Sequence, residues 1–158
     1  VKKAEVHGMS QRGGSVVSHV RWGPEVFSPI IPAGEADVLV AFEKMEALRW
    51  LSYLSPEGML IVNNHEIYPM PVILGMSEYP ARLEETLAEA ATRMLLIEAA
   101  DEAAALGNPR VSNVVLLGAV VKCLGLEDPC WAETLRSCVP PHALQVNERA
   151  FRKGLSLV

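Results

Sequence analysis

The sequence predicts an α/β fold of three layers, α/β/α, built on a Rossmann-like, mostly parallel (mixed) sheet. Three observations predict it. The runs Asp37–Ala41 and Met59–Val62 are apolar without alternation, which is how strands buried on both faces read. A helical pattern lies between them, and strand, helix, strand at that spacing implies a right-handed crossover joining a parallel pair. Glycine and proline then punctuate the chain at intervals that suit short connections between such units.

Taken in order, Val1–Val6 reads as a strand, followed by a polar loop and a second strand from Ser15 to Arg21 rich in β-branched residues. The loop carries Ser10, Gln11 and Arg12 immediately before Gly13-Gly14. Two adjacent glycines allow backbone conformations closed to other residues. Arg12 and the free backbone N–H groups of such a loop suit a phosphate or carboxylate; the alternative is a tight loop with a solvated arginine. Trp22-Gly23-Pro24-Glu25 is a turn, and the prolines in Val26–Pro32 make that segment an edge strand or a covering loop.

After the Asp37–Ala41 strand, Phe42 to Leu54 reads as a helix with Phe42, Met45, Leu48 and Leu51 on one face. Ser55-Pro56-Glu57-Gly58 is expected to end it. Met59–Val62 then runs to Asn63-Asn64. Ligands in parallel sheets collect beyond the carboxyl ends of the strands, where Glu43, Asn63 and Asn64 fall, although each such residue is more often a turn or cap than a ligand contact. His65-Glu66 is an adjacent pair with no second histidine at ligand spacing. Val72–Leu74 is assigned a short strand, and Tyr79-Pro80 opens a helix from Ala81 to about Thr92. Arg93–Ala99 fits either a buried strand or the middle of one long helix from Ala81 to Leu106.

Gly107 is placed to end one helix and Asn108 to cap the next, with Pro109 at its first position. The helix Arg110 to Leu124 is apolar almost all round, the mark of a buried helix. Asn113 sits in its first turns, where a buried amide requires a partner. Gly118 suits close helix packing. A short helix from about Trp131 to Cys138, a break at Val139–His142 and a last helix near Val146 to Lys153 complete the chain, with Phe151 docking that helix on the core.

Length and composition agree with one unit, residues 1–158. A chain of 158 residues can bury a sizeable core, and 50% apolar residues argue against disorder. A net charge of −5 argues against a nucleic-acid binder. No apolar run reaches the length of about 18 residues that suggests a membrane span, and no secretory signal opens the sequence. Cys123, Cys130 and Cys138 contain no CxxC pair, so their spacing suits neither a zinc knuckle nor an iron–sulfur motif. Reduced thiols in a cytoplasmic protein are the expected state.

The segment Glu5-Val6-His7-Gly8-Met9-Ser10-Gln11-Arg12-Gly13-Gly14, followed by Val17-Ser18-His19-Val20-Arg21, resembles the gamma-type domain of the 2-oxoacid:ferredoxin oxidoreductases. Its wording is most similar to the small (beta) subunit of the indolepyruvate enzymes. The stretches Gly34–Glu43, Gly107–Arg110, Asn113–Gly118 and Asn147, Ala150, Phe151 and Gly154 extend the resemblance over nearly the whole chain. It favours a strand at Arg93–Ala99. It also implies that a first strand, a glycine-rich turn and a helix precede Val1 in the family, so the domain is expected to be N-terminally incomplete.

The chemistry implied is that of a complex. No nucleophile elbow, HExxH, Walker loop or convincing carboxylate pair occurs here. The resemblance implies a large partner subunit carrying thiamine diphosphate and iron–sulfur clusters, with none of these on this chain. The whole enzyme would oxidatively decarboxylate an aryl 2-oxo acid, reduce ferredoxin and form the acyl-coenzyme A. Ser10, Gln11, Arg12, Gly13 and Gly14 would hold anionic groups of coenzyme A, and Asn113 would add a polar contact; no catalytic or metal-binding residue is assigned. A homodimer of the isolated chain is a further expectation. Pyruvate, 2-oxoglutarate or branched-chain oxoacids as substrates, or a stand-alone nucleotide-binding or scaffold module, are the alternatives.

Overall fold

The computed structural model describes residues 1–7, 16–128 and 130–158. Its strands form two separate sheets. β1 (Lys2–His7) and β2 (Val16–Arg21) pair antiparallel, with Lys2 opposite Arg21 and His7 opposite Val16. β3 (Ala36–Ala41), β4 (Leu54–Asn63) and β5 (Arg93–Ile97) form a parallel sheet in that order. Arg93–Ile97 is therefore a strand, and the antiparallel component of the expected mixed sheet lies in the hairpin.

Alternation along the central strand builds the layers, because successive side chains of a strand point to opposite faces. Ile61, with Met59, Val38 and Val40 beside it, packs against α4 (Ala99–Ala105), α5 (Ser112–Cys123) and α7 (Leu144–Ser156). Leu60 and Val62 pack on the other face with Ala47 of α1 (Lys44–Trp50) and Leu87 of α3 (Leu83–Ala90). Leu60, Ile61 and Val62 are fully buried, as their unbroken apolar run requires. α6 (Trp131–Cys138) brings Trp131 against Phe151, with ring centroids 5.4 Å apart. No helix among the described residues is long and apolar enough to cross a membrane.

Local signals set several boundaries. Gly107 takes a left-handed φ of 86°, and the Asn108 side chain accepts a hydrogen bond from the Arg110 N–H. Pro109–Val111 is a 3-10 turn leading into α5. Gly118 and Gly154 bring α5 and α7 into backbone contact. A Cβ on Gly154 would lie 2.0 Å from the Val115 carbonyl oxygen, and one on Gly118 would lie 2.3 Å from that of Phe151. The last helix exceeds its expected range at both ends, and Phe151 is buried as expected.

Other expectations are corrected. The helix expected over Phe42–Leu54 is α1 plus a 3-10 turn at Leu51–Tyr53. Its buried residues are Lys44 and Ala47, whereas Phe42 is half exposed. Polar partners supplied by distant residues override the apolar pattern there. Ser55-Pro56-Glu57-Gly58 does not end a helix. It lies within β4 as an irregularity, since Ala36 pairs with Leu54 and Val38 with Met59. Val72–Leu74 is not a strand. Met70–Ile73 forms one turn of helix, α2, with Pro71 in its first turn, where a missing N–H costs nothing. The helix expected from Ala81 starts at Leu83, after Arg82 takes a left-handed φ of 64°. Val26–Pro32 is a covering loop rather than a strand. It is tied to the hairpin by Arg21 Nη1 donating to the Ile30 carbonyl (2.9 Å) and by the Ile31 N–H donating to His19 Nδ1 (3.2 Å).

Candidate functional site

The carboxyl ends of β3 and β4 hold the best-defined polar cluster among the described residues. β3 ends at Ala41, and the chain turns through Phe42 into α1. Glu43 is its N-cap: extended backbone lets the carboxylate accept from the Glu46 N–H at 2.9 Å, the usual way an orphan N–H at a helix start is satisfied. Glu43 is buried, and it also accepts from the Tyr79 hydroxyl and from the Ile67 N–H at 3.4 Å.

Lys44, the next residue, is buried as well. Its ammonium lies 2.8 Å from Glu66 Oε1 and 2.8 Å from Glu84 Oε1, and its N–H donates to the His65 carbonyl at 3.1 Å. The Tyr68 hydroxyl donates to the other Glu66 oxygen at 3.0 Å, and the Tyr68 and Tyr79 rings meet edge to face. Two consecutive residues at the start of α1 thus grip both ends of the long excursion 64–82 between β4 and α3.

Next to them, buried Asn63 ends β4. Its amide donates to the Phe42 carbonyl at 3.1 Å and accepts from the Ala100 N–H at 3.3 Å. Asn64 donates to Glu98 Oε1 at 2.5 Å. Glu43, Asn63 and Asn64 therefore serve as cap and turn residues. Glu66 is consumed by Lys44 and Tyr68, and the His65 N–H donates to the Asn63 carbonyl at 2.7 Å.

Electrostatics shows what this cluster does. Burial pulls the Lys44 ammonium down, but the bonds and charges of Glu66 and Glu84 outweigh it, so its pKa rises. Lys44 and Tyr68 hold the Glu66 carboxyl below the usual range. Burial, then the bond to Glu43, pushes Tyr79 up; the bond to Glu66 pushes Tyr68 up. Each shift reinforces the state the group already has at neutral pH. A general acid or base needs a pKa near the working pH, so these groups clamp structure rather than move protons. A cleft of about 410 Å³ opens beside them, lined by Lys44, Tyr68 and Tyr79 and by Glu66, Glu84 and Glu85. Arg82 also lines it, but Arg82 is paired to Glu85 and Lys44 to Glu66 and Glu84, so both cations are taken and the net negative rim disfavours phosphate.

A pH test follows. Replacing Lys44 with Met is expected to lower Tm at neutral pH. Glu66 has a depressed folded pKa, so its contribution is present above its ordinary value of 4.5 and is lost as pH falls through the lowered one. Lys44 has a raised folded pKa, so its contribution is present below 10.5 and is lost as pH rises through the raised value. The gap between wild type and Lys44→Met, followed by thermal melts, narrows at both extremes; a gap constant across pH counts against the clamp.

The residues singled out for anion binding fall elsewhere. Ser10, Gln11, Arg12, Gly13 and Gly14 lie outside the described residues. The strands on either side of them are present as expected, and the structure pairs them antiparallel. Asn113 is corrected: it lies exposed on the first turn of α5 rather than buried, so no desolvation cost demands a protein partner. Lys44, Tyr79 and Glu84 were missed by sequence reasoning. The only local signal was a Glu-Lys pair directly after a buried strand; its partners lie far along the chain. Cys123, Cys130 and Cys138 are free thiols.

The family model described as pyruvate ferredoxin/flavodoxin oxidoreductase matches residues 1–157. The chain belongs to that family. Among curated oxidoreductase relatives, the indolepyruvate oxidoreductase subunit IorB of Pyrococcus horikoshii is 40% identical over 161 residues, which cover 98% of this chain and 79% of the relative. The protein of the same name from Thermococcus kodakarensis is 38% identical over 160 residues, again 98% and 79%. In fold, the chain is similar to the gamma subunit of a keto/oxoacid ferredoxin oxidoreductase from Geobacter sulfurreducens PCA. That likeness has a TM-score of 0.64 at 19% identity and covers 99% of this chain and 78% of that one.

Proposed function

We propose that this chain is the small subunit of an indolepyruvate-type ferredoxin oxidoreductase and that it helps to bind coenzyme A. The observation that carries the reading is its similarity, over 98% of its length, to subunits named for indolepyruvate oxidoreductase. The complete enzyme would cleave CO2 from an aryl 2-oxo acid, pass two electrons to ferredoxin and join the acyl group to coenzyme A. Thiamine diphosphate and iron–sulfur clusters would reside on a larger partner subunit and supply the carbon–carbon cleavage and electron transfer.

This chain's part is placement and electrostatics. Coenzyme A is a large anion. The donor set of the β1–β2 loop suits it: the Arg12 guanidinium can take a phosphate bidentately, and Ser10, Gln11 and the Gly13-Gly14 backbone add donors without bulk. Asn113, exposed at the start of α5, offers an amide to the uncharged part of the same ligand. The acidic cleft beside Lys44 is the wrong sign for that role, which supports assigning the anion to the hairpin loop.

The test is reconstitution with the large subunit from the same organism and an assay of indolepyruvate-dependent ferredoxin reduction. Arg12→Ala is expected to raise KM for coenzyme A about tenfold, the loss of roughly one charge-assisted contact, while KM for the oxo acid stays put. An unchanged KM for coenzyme A removes Arg12 from the site. A higher kcat/KM with pyruvate than with indolepyruvate overturns the substrate class.

A further inference from the structure

The excursion 64–82 is longer than the roughly 12–15 residues beyond which an unstructured connection is usually functional. Its only regular element is the single turn α2. Both ends are clamped, Ile67 and Tyr79 on Glu43, Glu66 and Glu84 on Lys44. Its middle is not packed: α2 has no substantial contact with any other described helix or strand. Ile67, Met70, Ile73, Leu74 and Met76 are between 60% and 77% exposed. No charged residue occurs between Glu66 and Glu78, in a chain that is 21% charged.

Five such side chains present on the order of 500 Å² of apolar surface, taking about 100 Å² each. That sum lies within the size of the largest patch on an ordinary monomer and exceeds half of the ≈800 Å² that one partner contributes to a standard interface. The clamps matter here, because an arm already held in place loses little conformational freedom on binding.

We infer that residues 67–77 form a pre-organised docking arm for the large subunit of the complex, seated in an apolar hollow with a basic rim. This rests on the proposed function above. The charge around the arm argues for a basic partner surface and against a second copy. Glu66, Glu78, Glu84 and Glu85 flank it, against Lys44 and Arg82. Arg82 is paired to Glu85 and Lys44 to Glu66 and Glu84, which leaves a net acidic border. A second copy of this chain would bring one acidic border against another, whereas a hollow ringed by lysine and arginine complements it.

The experiment measures affinity of the chain for the reconstituted large subunit by calorimetry, with the chain's own oligomeric state followed by analytical ultracentrifugation. The double variant Ile73→Glu, Leu74→Glu is expected to weaken the complex at least tenfold with circular dichroism and Tm unchanged. Phe27→Glu, at an 82% exposed site outside the arm, is expected to bind as wild type. Glu78→Lys is expected to weaken binding severalfold, and less at high salt. If wild type binds and the double variant binds equally, the arm is not the interface, while the subunit assignment stands. If wild type does not bind the large subunit at all, the subunit reading itself fails and takes the arm with it. A wild-type dimer abolished by the double variant, with large-subunit binding untouched, assigns the face to a second copy and overturns the inference.

Discussion

Gly154→Ala is expected to lower the unfolding free energy by about 3 kcal/mol, the upper part of the range for forcing one extra carbon into a close-packed contact. The site permits no easy relief. The new Cβ would meet the Val115 carbonyl oxygen at 2.0 Å, its carbon at 2.9 Å and the Gly118 Cα at 2.9 Å, all backbone atoms of α5. A side chain can change rotamer; a helix backbone must move as a body. Sliding α7 would shift Ala150 and Phe151, which are buried in the core that covers the sheet. The sign makes the test sharp. In an exposed helix, glycine to alanine gains about 1 kcal/mol of helix propensity, so a loss here reports the crossing. Gly118→Ala, facing the Phe151 carbonyl at 2.3 Å, is expected to cost a similar amount. Gly23→Ala, with nothing within 4 Å of its Cβ, is expected to be neutral to slightly stabilising. Urea unfolding at constant m-value measures all three, and a Gly154→Ala protein as stable as wild type refutes the close crossing.

Glu43→Ala has the second largest expected effect, about 2–3 kcal/mol. Loss of the N-cap acceptor for the Glu46 N–H accounts for about 1 kcal/mol. The half-buried Tyr79 hydroxyl loses its acceptor but keeps its hydrogen bond to the Met45 backbone, which puts its cost in the lower part of the range for an unsatisfied polar group, about 1–2 kcal/mol. The effect is also local in a way that can be read. Tyr79 and Ile67 are roots of the 64–82 excursion, so their release raises the cleavage rate of that segment by a protease more than the change in global stability accounts for. Glu43→Gln retains an acceptor oxygen and is expected to recover part of the cap. Equal stability and equal proteolysis in Glu43→Ala and wild type would show that the carboxylate does not hold the arm.

Much of this architecture was legible in the residues, for reasons that are local. Leu60-Ile61-Val62 reads as a doubly buried strand because no polar residue interrupts it, and all three prove fully buried. Gly107-Asn108-Pro109 reads as a stop and restart because each residue suits one backbone role, and each takes it. Gly118 was legible as a packing glycine in a helix apolar on nearly every side. The two strands around the polar loop followed from β-branched residues beyond two glycines, whereas their antiparallel pairing is read from the structure.

The polar site was not legible in the same way. Glu43 and Lys44 look like solvated charges at the start of a helix whose apolar stripe begins at Phe42. The structure instead buries the pair and leaves Phe42 half exposed. Nothing near Lys44 in sequence announces Glu66 and Glu84, and nothing near Glu43 announces Tyr79. Asn113 erred in the opposite sense: it stands in an apolar stretch yet is itself exposed on the first turn of α5. Val72–Leu74 has the composition of a strand but forms a helical turn, since no sheet edge is offered to it.

Taken by itself, the sequence determined the parallel α/β layering, the two strands around the polar loop, a packing glycine at Gly118 and the family, because periodicity, turn chemistry and motif wording act between residues close along the chain. Only the tertiary structure decided that two consecutive charged residues clamp an apolar arm at both its ends. A buried charge is stable only where its partners converge, and that convergence exists in space alone.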